Sequence, residues 1–228
     1  METQDQLSTR VPEPELMNEA EQVAAYAEAD FDEGHTLLFS EAMSRLPKRM
    51  PMKRILDLGC GPGDFSRRLA KAFPDAEIVG VDGAANMLKR AADESEKDGL
   101  RISWVQALLH EFADPDGFDL VFSNSLLHHL HHPEQLWASV KSLTRNDGWV
   151  HISDLRRPAS RTQAEWMVKT YSADEPEVLR RDFFHSLCAA FTPEEIAEQC
   201  KNAALDELTV EPFGDRHVLV FGRMDRTS

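Results

Sequence analysis

The first residues in this sequence able to do chemistry are three carboxylates and three glycines: Asp57, Gly59, Gly61, Gly63, Asp64 and, one segment later, Asp82. Five of them lie in Ile55-Leu56-Asp57-Leu58-Gly59-Cys60-Gly61-Pro62-Gly63-Asp64-Phe65-Ser66, an apolar run that enters a glycine-rich turn. An amphipathic segment follows, with Phe65, Leu69, Ala70, Ala72 and Phe73. Glycine lets the backbone turn sharply and approach a ligand with no Cβ in the way. A helix behind such a turn aims its free N–H groups back at whatever sits there. A dinucleotide loop needs a third glycine where Asp64 stands, and a phosphate-gripping loop needs Gly-Lys-Ser/Thr, which is missing. A carboxylate in the place of a pyrophosphate is electrostatically poor. Asp57, just before the turn, suits a cationic group such as an amino acid's ammonium. Asp82 stands 82 − 63 = 19 residues past Gly63, and a carboxylate there can accept two hydrogen bonds from vicinal ribose hydroxyls.

An ammonium and a ribose with no phosphate describe S-adenosylmethionine. The stretch 55–66 with Val79-Gly80-Val81-Asp82 resembles the first two motifs of the class I S-adenosylmethionine-dependent methyltransferases. Phe118-Asp119-Leu120-Val121-Phe122-Ser123 followed by Leu127-His128-His129-Leu130 resembles their fourth. The likeness covers about residues 50–155 and is closest to the branch of quinone-pathway and other small-molecule enzymes. It implies that Asp57 and the backbone of Gly59, Cys60 and Gly61 hold the methionine part, that Asp82 binds the ribose, and that Gly83 and Met87 border the adenine. Family members often carry Gly-Asp after strand three. Here Trp104-Val105-Gln106 leads to Ala107-Leu108, so backbone groups and apolar contact are expected to hold the adenine, with Ser123 beside the cofactor at the end of strand four.

Acceptor chemistry is less marked. His128, His129, His131 and His132 form the densest histidine run. A metal centre would need such ligands to converge, but the family often shows His-His-Leu here without one. The expectation is a helix-entry loop with one or two histidines packed inward and no metal. His128 or His129 would then serve as a base or a hydrogen-bond partner of the acceptor. Asp154, near the end of strand five, either orients or deprotonates the acceptor or caps Arg156 and Arg157. Tyr26, His129, Tyr171 and Phe184 are the candidate acceptor contacts. Aromatics across 166–191 are core residues by default, although family insertions after strand five commonly roof the acceptor pocket. Methyl transfer itself asks mainly for in-line alignment and exclusion of water, a contribution that reaches about 7–11 kcal/mol.

The elements that must position these groups alternate regularly. Strands are expected at 54–58, 77–82, 101–105, 118–123 and 148–155, with helices at 64–72 and 84–97 and another starting near Pro133. That is an α/β fold: a doubly wound, mostly parallel seven-stranded sheet, completed by an antiparallel hairpin of 207–211 and 217–222. Ligands of such sheets sit beyond the carboxyl ends of the strands. Residues 1–50 are read as a tail and two lid helices (18–29 and 33–46), with about the first 15 residues mobile and Tyr26 and Phe31 as candidate lid residues over the glycine loop. The cofactor core is 51–155, a helical acceptor-site insertion is 156–204, and the hairpin is 205–228, all in one domain. At 228 residues, 42% hydrophobic and 29% charged, the chain has the composition of a soluble globular protein. No apolar run approaches the roughly 20 residues that span a bilayer. Three cysteines without metal or disulfide spacing suggest a reducing, cytoplasmic setting. The net charge of 25 − 40 = −15 disfavours nucleic acid, and the basic cluster Arg156, Arg157 and Arg161 is read as solvated. The expected activity is therefore methylation of a small-molecule acceptor by a monomer or homodimer. An RNA (tRNA) modifying transferase and a non-catalytic cofactor-binding partner or sensor are the alternatives.

Overall fold

A computed structural model of the chain describes residues 5–13, 32–48 and 50–225. Seven strands form one sheet: β1 (Arg54–Leu58), β2 (Glu77–Asp82), β3 (Ser103–Gln106), β4 (Phe118–Asn124), β5 (Thr144–Leu155), β6 (Thr209–Phe213) and β7 (His217–Arg223). Their order is β3-β2-β1-β4-β5-β7-β6. The first five strands pair in parallel and β7 runs antiparallel to both β5 and β6. A parallel strand covered on both faces reads as a continuous apolar run. Ile55, Leu56 and Leu58 of β1 and Leu120, Val121 and Phe122 of β4 are accordingly buried.

The helices are α1 (Asp32–Arg45), α2 (Asp64–Ala72), α3 (Ala85–Lys97), α4 (Glu134–Leu143), α5 (Arg161–Tyr171), α6 (Glu177–Ala189) and α7 (Pro193–Asn202). On one face, Leu136, Trp137 and Val140 of α4 and Ile196 of α7 pack on Leu56, Val121 and Val150. On the other, Leu38 and Ala42 of α1 and Phe65 and Leu69 of α2 pack on Ile55, Leu120 and Phe122. Helix α7 starts as its sequence implies, with Thr192 and Glu195 in a reciprocal capping box and Pro193 in the first turn.

The structure departs from the sequence reading in several places. Strand β5 starts at Thr144 because α4 runs straight into it; the chain then turns through Asp147 (φ 64°), and the pairing with β4 shifts between Phe118 and Leu120. The hairpin strand β6 lies two residues later than expected, and β3 starts at Ser103. Residues 5–13, expected to be mobile, are fastened along the insertion. Gln6 bridges Ser160, the Leu7 N–H donates to Ala159 O, and Asp5 accepts from the N–H and hydroxyl of Thr162. The helix expected at 18–29, with Tyr26 and Phe31, lies outside the described residues.

Candidate active site

Three loops meet beyond the carboxyl ends of β1, β2 and β4. The glycine loop leaves β1, and its Gly59 and Cys60 N–H groups donate to Val81 O of β2. Gly59, Gly61 and Gly63 all have positive φ (67°, 52° and 78°), the left-handed region that glycine enters without steric cost. Their surroundings differ. A Cβ on Gly59 would lie 2.7 Å from Leu126, and one on Gly63 would lie 2.5 Å from the Trp104 ring. At Gly61 a Cβ would meet nothing within 4 Å. Gly59 and Gly63 are thus required by neighbouring side chains, and Gly61 is the residue at which the loop opens to a ligand.

Asp82 closes this loop from β2. Its Oδ2 accepts from the Gly61 N–H at 2.8 Å and its Oδ1 from the Ala84 N–H at 2.8 Å. Burial pushes its carboxyl above the ordinary range while those two donors oppose the shift. Each oxygen keeps a lone pair for a further donor. Gly83 follows it, Met87 is buried beneath, and the Ala107 N–H donates to Asp82 O, so the predicted adenine border is brought together around one strand end. Leu108 is 39% exposed there. Asp57 is fully enclosed and accepts the Ser66 hydroxyl at 2.5 Å. Asp64 takes Nδ1 of His35 at 2.9 Å and Nε of Arg68 at 2.8 Å. Burial would raise this carboxyl, but His35 and Arg68 hold it down at about 2. A standing negative charge therefore sits at the head of α2, which favours the helix dipole and disfavours a phosphate. Ser123 is turned away from the loop: its hydroxyl donates to Leu58 O inside the sheet.

The loop after β4 forms the other wall. Ser125, just past the strand, has φ 54°, and such strain in a non-glycine residue is common at functional sites. A 3-10 turn, Leu127–His129, then carries the histidines inward, as the sequence suggests. Asp154 is buried and uses both oxygens. Oδ2 accepts the Leu127 N–H at 2.7 Å, while Oδ1 accepts the Leu155 N–H at 2.7 Å and faces His128 Nδ1 at 2.5 Å. A carboxylate only accepts, so Nδ1 carries the proton and Nε2 is the free nitrogen of His128. Burial works against a charged ring, but the Asp154 carboxylate outweighs it and raises the His128 pKa. Asp154 therefore orients a histidine; it does not cap Arg156 and Arg157.

Those arginines are structural. Arg157 is buried, bonds Glu195 through two nitrogens at 3.0 and 2.7 Å, and donates to Leu7 O and Ala190 O. Arg156 donates to Asp215 O at 2.9 Å. The reading of this cluster as solvated fails for both; Arg161 is exposed and lies over the Phe184 ring.

Tyr171 is 42% exposed and bonds Asp215 at the β6–β7 turn, with Arg216 stacked on its ring. Trp166 is also exposed, so neither aromatic is a core residue. Phe184 lines a cavity of about 290 Å³ with Val11, Glu13, Arg161 and Cys188. His129 is not part of that lining; its ring lies tilted against His128, and its Nδ1 is 3.1 Å from Glu13. The sequence reading missed Glu13, Arg10 and His35. Arg10 donates to the backbone oxygens of His128 (2.6 Å), Leu130 (2.8 Å) and Ala189 (2.7 Å), so the strap of residues 5–13 braces the histidine turn against α6. The one hint was Leu7, an apolar residue in a polar stretch, which is buried.

Residues 55–148 match the family described as "Methyltransferase domain". The match covers less than half of the chain's 228 residues. The trans-aconitate 2-methyltransferase of Rhodopseudomonas palustris is 31% identical over 110 residues, which cover 46% of this chain and 41% of that protein. The ubiquinone biosynthesis O-methyltransferase of Bordetella pertussis is 28% identical over 166 residues, 72% of this chain and 64% of that protein. The matches thus span less than two thirds of these relatives. Among solved structures, plantazolicin methyltransferase BpumL, in complex with a triazolic desmethylPZN analog and SAH, superposes with a TM-score of 0.69 over 90% of this chain and 91% of that one, at 14% identity. The glycine loop, Asp82 and the histidine turn all fall within the matched stretch, while Asp154 and the strap lie outside it.

Proposed function

We propose that the chain binds S-adenosylmethionine at the glycine loop and transfers its methyl group to a small-molecule acceptor. The observation that carries this reading is the Asp82 carboxylate, tied to the Gly61 and Ala84 N–H groups with a lone pair on each oxygen left over, beside a loop whose tip is open. That arrangement suits two vicinal ribose hydroxyls. Asp64 beside it argues against a phosphate, and the buried Asp57 suits a cation. The acceptor site is the wall formed by His128, His129 and Asp154, and oxygen is the acceptor atom, in line with the name of the ubiquinone biosynthesis O-methyltransferase. The sulfonium is already activated, so the chain's task is to hold the two reactants in line and keep water out. Asp154 fixes the His128 ring in this wall through Nδ1. Cys60, Cys188 and Cys200 are all buried and unpaired, which supports a reducing compartment. No helix among the described residues is long and apolar enough to cross a membrane.

The test is calorimetric titration with S-adenosylhomocysteine. Charge-assisted hydrogen bonds contribute about 1.5–3 kcal/mol each, so Asp82→Ala should weaken binding by at least about tenfold. An Asp82→Ala protein that binds as tightly as the wild type would show that the ribose lies elsewhere.

A further inference from the structure

The histidine turn and the strap build a feature that methyl transfer alone does not require. Glu13, His128 and His129 bring three ligand atoms within 4.8 Å of one another, in a group of which His128 is buried and the other two are partly buried. Among the described residues, no other three histidine, cysteine or acidic side chains converge in this way. Oε1 of Glu13 lies 3.7 Å from Nε2 of His128 and 3.1 Å from Nδ1 of His129. A tetrahedral zinc centre, with bonds of about 2.0–2.2 Å, separates its ligand atoms by about 3.3–3.6 Å, and these two edges bracket that value.

Two independent details agree. Nδ1 of His129 is buried, and no described group makes a well-aimed hydrogen bond to it. Nδ1 of His128 is taken by Asp154, which leaves Nε2 facing the cluster. A carboxylate behind a histidine is the usual outer support of a metal-bound imidazole. Glu13 is itself steadied by the Ser186 hydroxyl at 2.9 Å. The strap that delivers it is anchored by Arg10 to the backbone of the same histidine turn.

We infer that Glu13, His128 and His129 form a binding site for a divalent cation of the zinc class, with Asp154 as its outer carboxylate. Two imidazoles and one carboxylate suit zinc and its first-row neighbours, and three protein ligands leave a fourth position for water or an acceptor oxygen. A hydroxyl held there loses its proton more readily. The inferred cation departs from the expectation that the histidine run holds no metal. Cation binding is independent of the methyl-transfer reading; only the role suggested for the acceptor oxygen rests on it.

The test uses full-length protein freed of metal by chelator dialysis. Zn2+ uptake is followed by calorimetry and Co2+ uptake by its visible absorption. One equivalent should bind, with the intense bands of a four-coordinate Co2+ centre. Glu13→Gln and His129→Ala should lose these bands and weaken Zn2+ binding by at least about 10-fold, Asp154→Asn should weaken it about 10–100-fold, and His132→Ala should not change it. Circular dichroism of each variant shows whether the fold is kept. Absence of Zn2+ uptake by the wild type, or equal uptake by well-folded Glu13→Gln and His129→Ala, overturns the site. Titration of the wild type with S-adenosylhomocysteine is a separate readout, so failure of the methyl-transfer reading would appear there and not in the metal data.

Discussion

Asp57 sits where a carboxylate is hard to keep ionised. Burial pushes its pKa up to about 7, Ser66 opposes the shift, and Asp82 and Asp64 add to it. A cationic ligand beside it favours the charged form. Below about pH 7 the empty site is protonated and must release that proton when the ligand binds, so affinity for S-adenosylmethionine should fall up to about tenfold per pH unit. Above pH 7 the affinity should level off. Asp57→Asn should flatten the profile and weaken binding at pH 8. Calorimetry at pH 6 and 8, in buffers of different ionisation heat, measures both the affinity and the proton release; a flat profile in the wild type would remove Asp57 from the cationic end of the ligand. In the empty protein the sign reverses. The folded state keeps a proton that the unfolded chain loses above about pH 4, so this group's contribution to stability is lost as pH rises through about 7. The acid at this position was legible because it directly precedes the turn. Its enclosure was not, because Ser66 reaches it from the far side of the loop.

At the scale of elements, the strand–turn–helix at 54–72 was readable in full. The apolar run fixes β1, the glycines fix the turn, and Phe65 and Leu69 fix the buried face of α2. What was hidden is why two of the glycines are needed. The Trp104 ring lies over the backbone of β2 and the start of α2, and a Cβ on Gly80 would come within 2.4 Å of it. Gly80→Ala should therefore cost about 1–3 kcal/mol through overpacking, read as a lower urea midpoint. Trp104→Leu should remove the clash, so the double variant should lose less than the sum of the single changes. Additive losses would mean that the ring is not the obstacle. The strap was missed for a related reason. Arg10 bonds backbone oxygens of residues 128, 130 and 189, contacts more than a hundred positions away that local composition does not encode. Two prolines and a polar stretch look the same whether fastened or loose.

At the scale of the whole molecule, alternation of short apolar strands with amphipathic helices predicted the parallel sheet, and the hairpin turn at Gly214 predicted its antiparallel edge. Both are present, in the order β3-β2-β1-β4-β5-β7-β6. Composition described the surface less well. The arginines at 156 and 157, which looked like a solvated patch on a chain of net charge −15, are internal ties between the strap, the insertion and the hairpin. The acceptor wall likewise depends on segments distant in sequence, with Glu13, His128 and Asp154 meeting only in the fold. The central claim is that this assembly is organised around an aminoacyl nucleoside and not a pyrophosphate-bearing cofactor. Parallel calorimetric titration of the full chain with S-adenosylmethionine and with NAD tests it most directly. The account predicts one equivalent of S-adenosylmethionine bound and no saturable heat with NAD; saturable NAD binding with none for S-adenosylmethionine would contradict it.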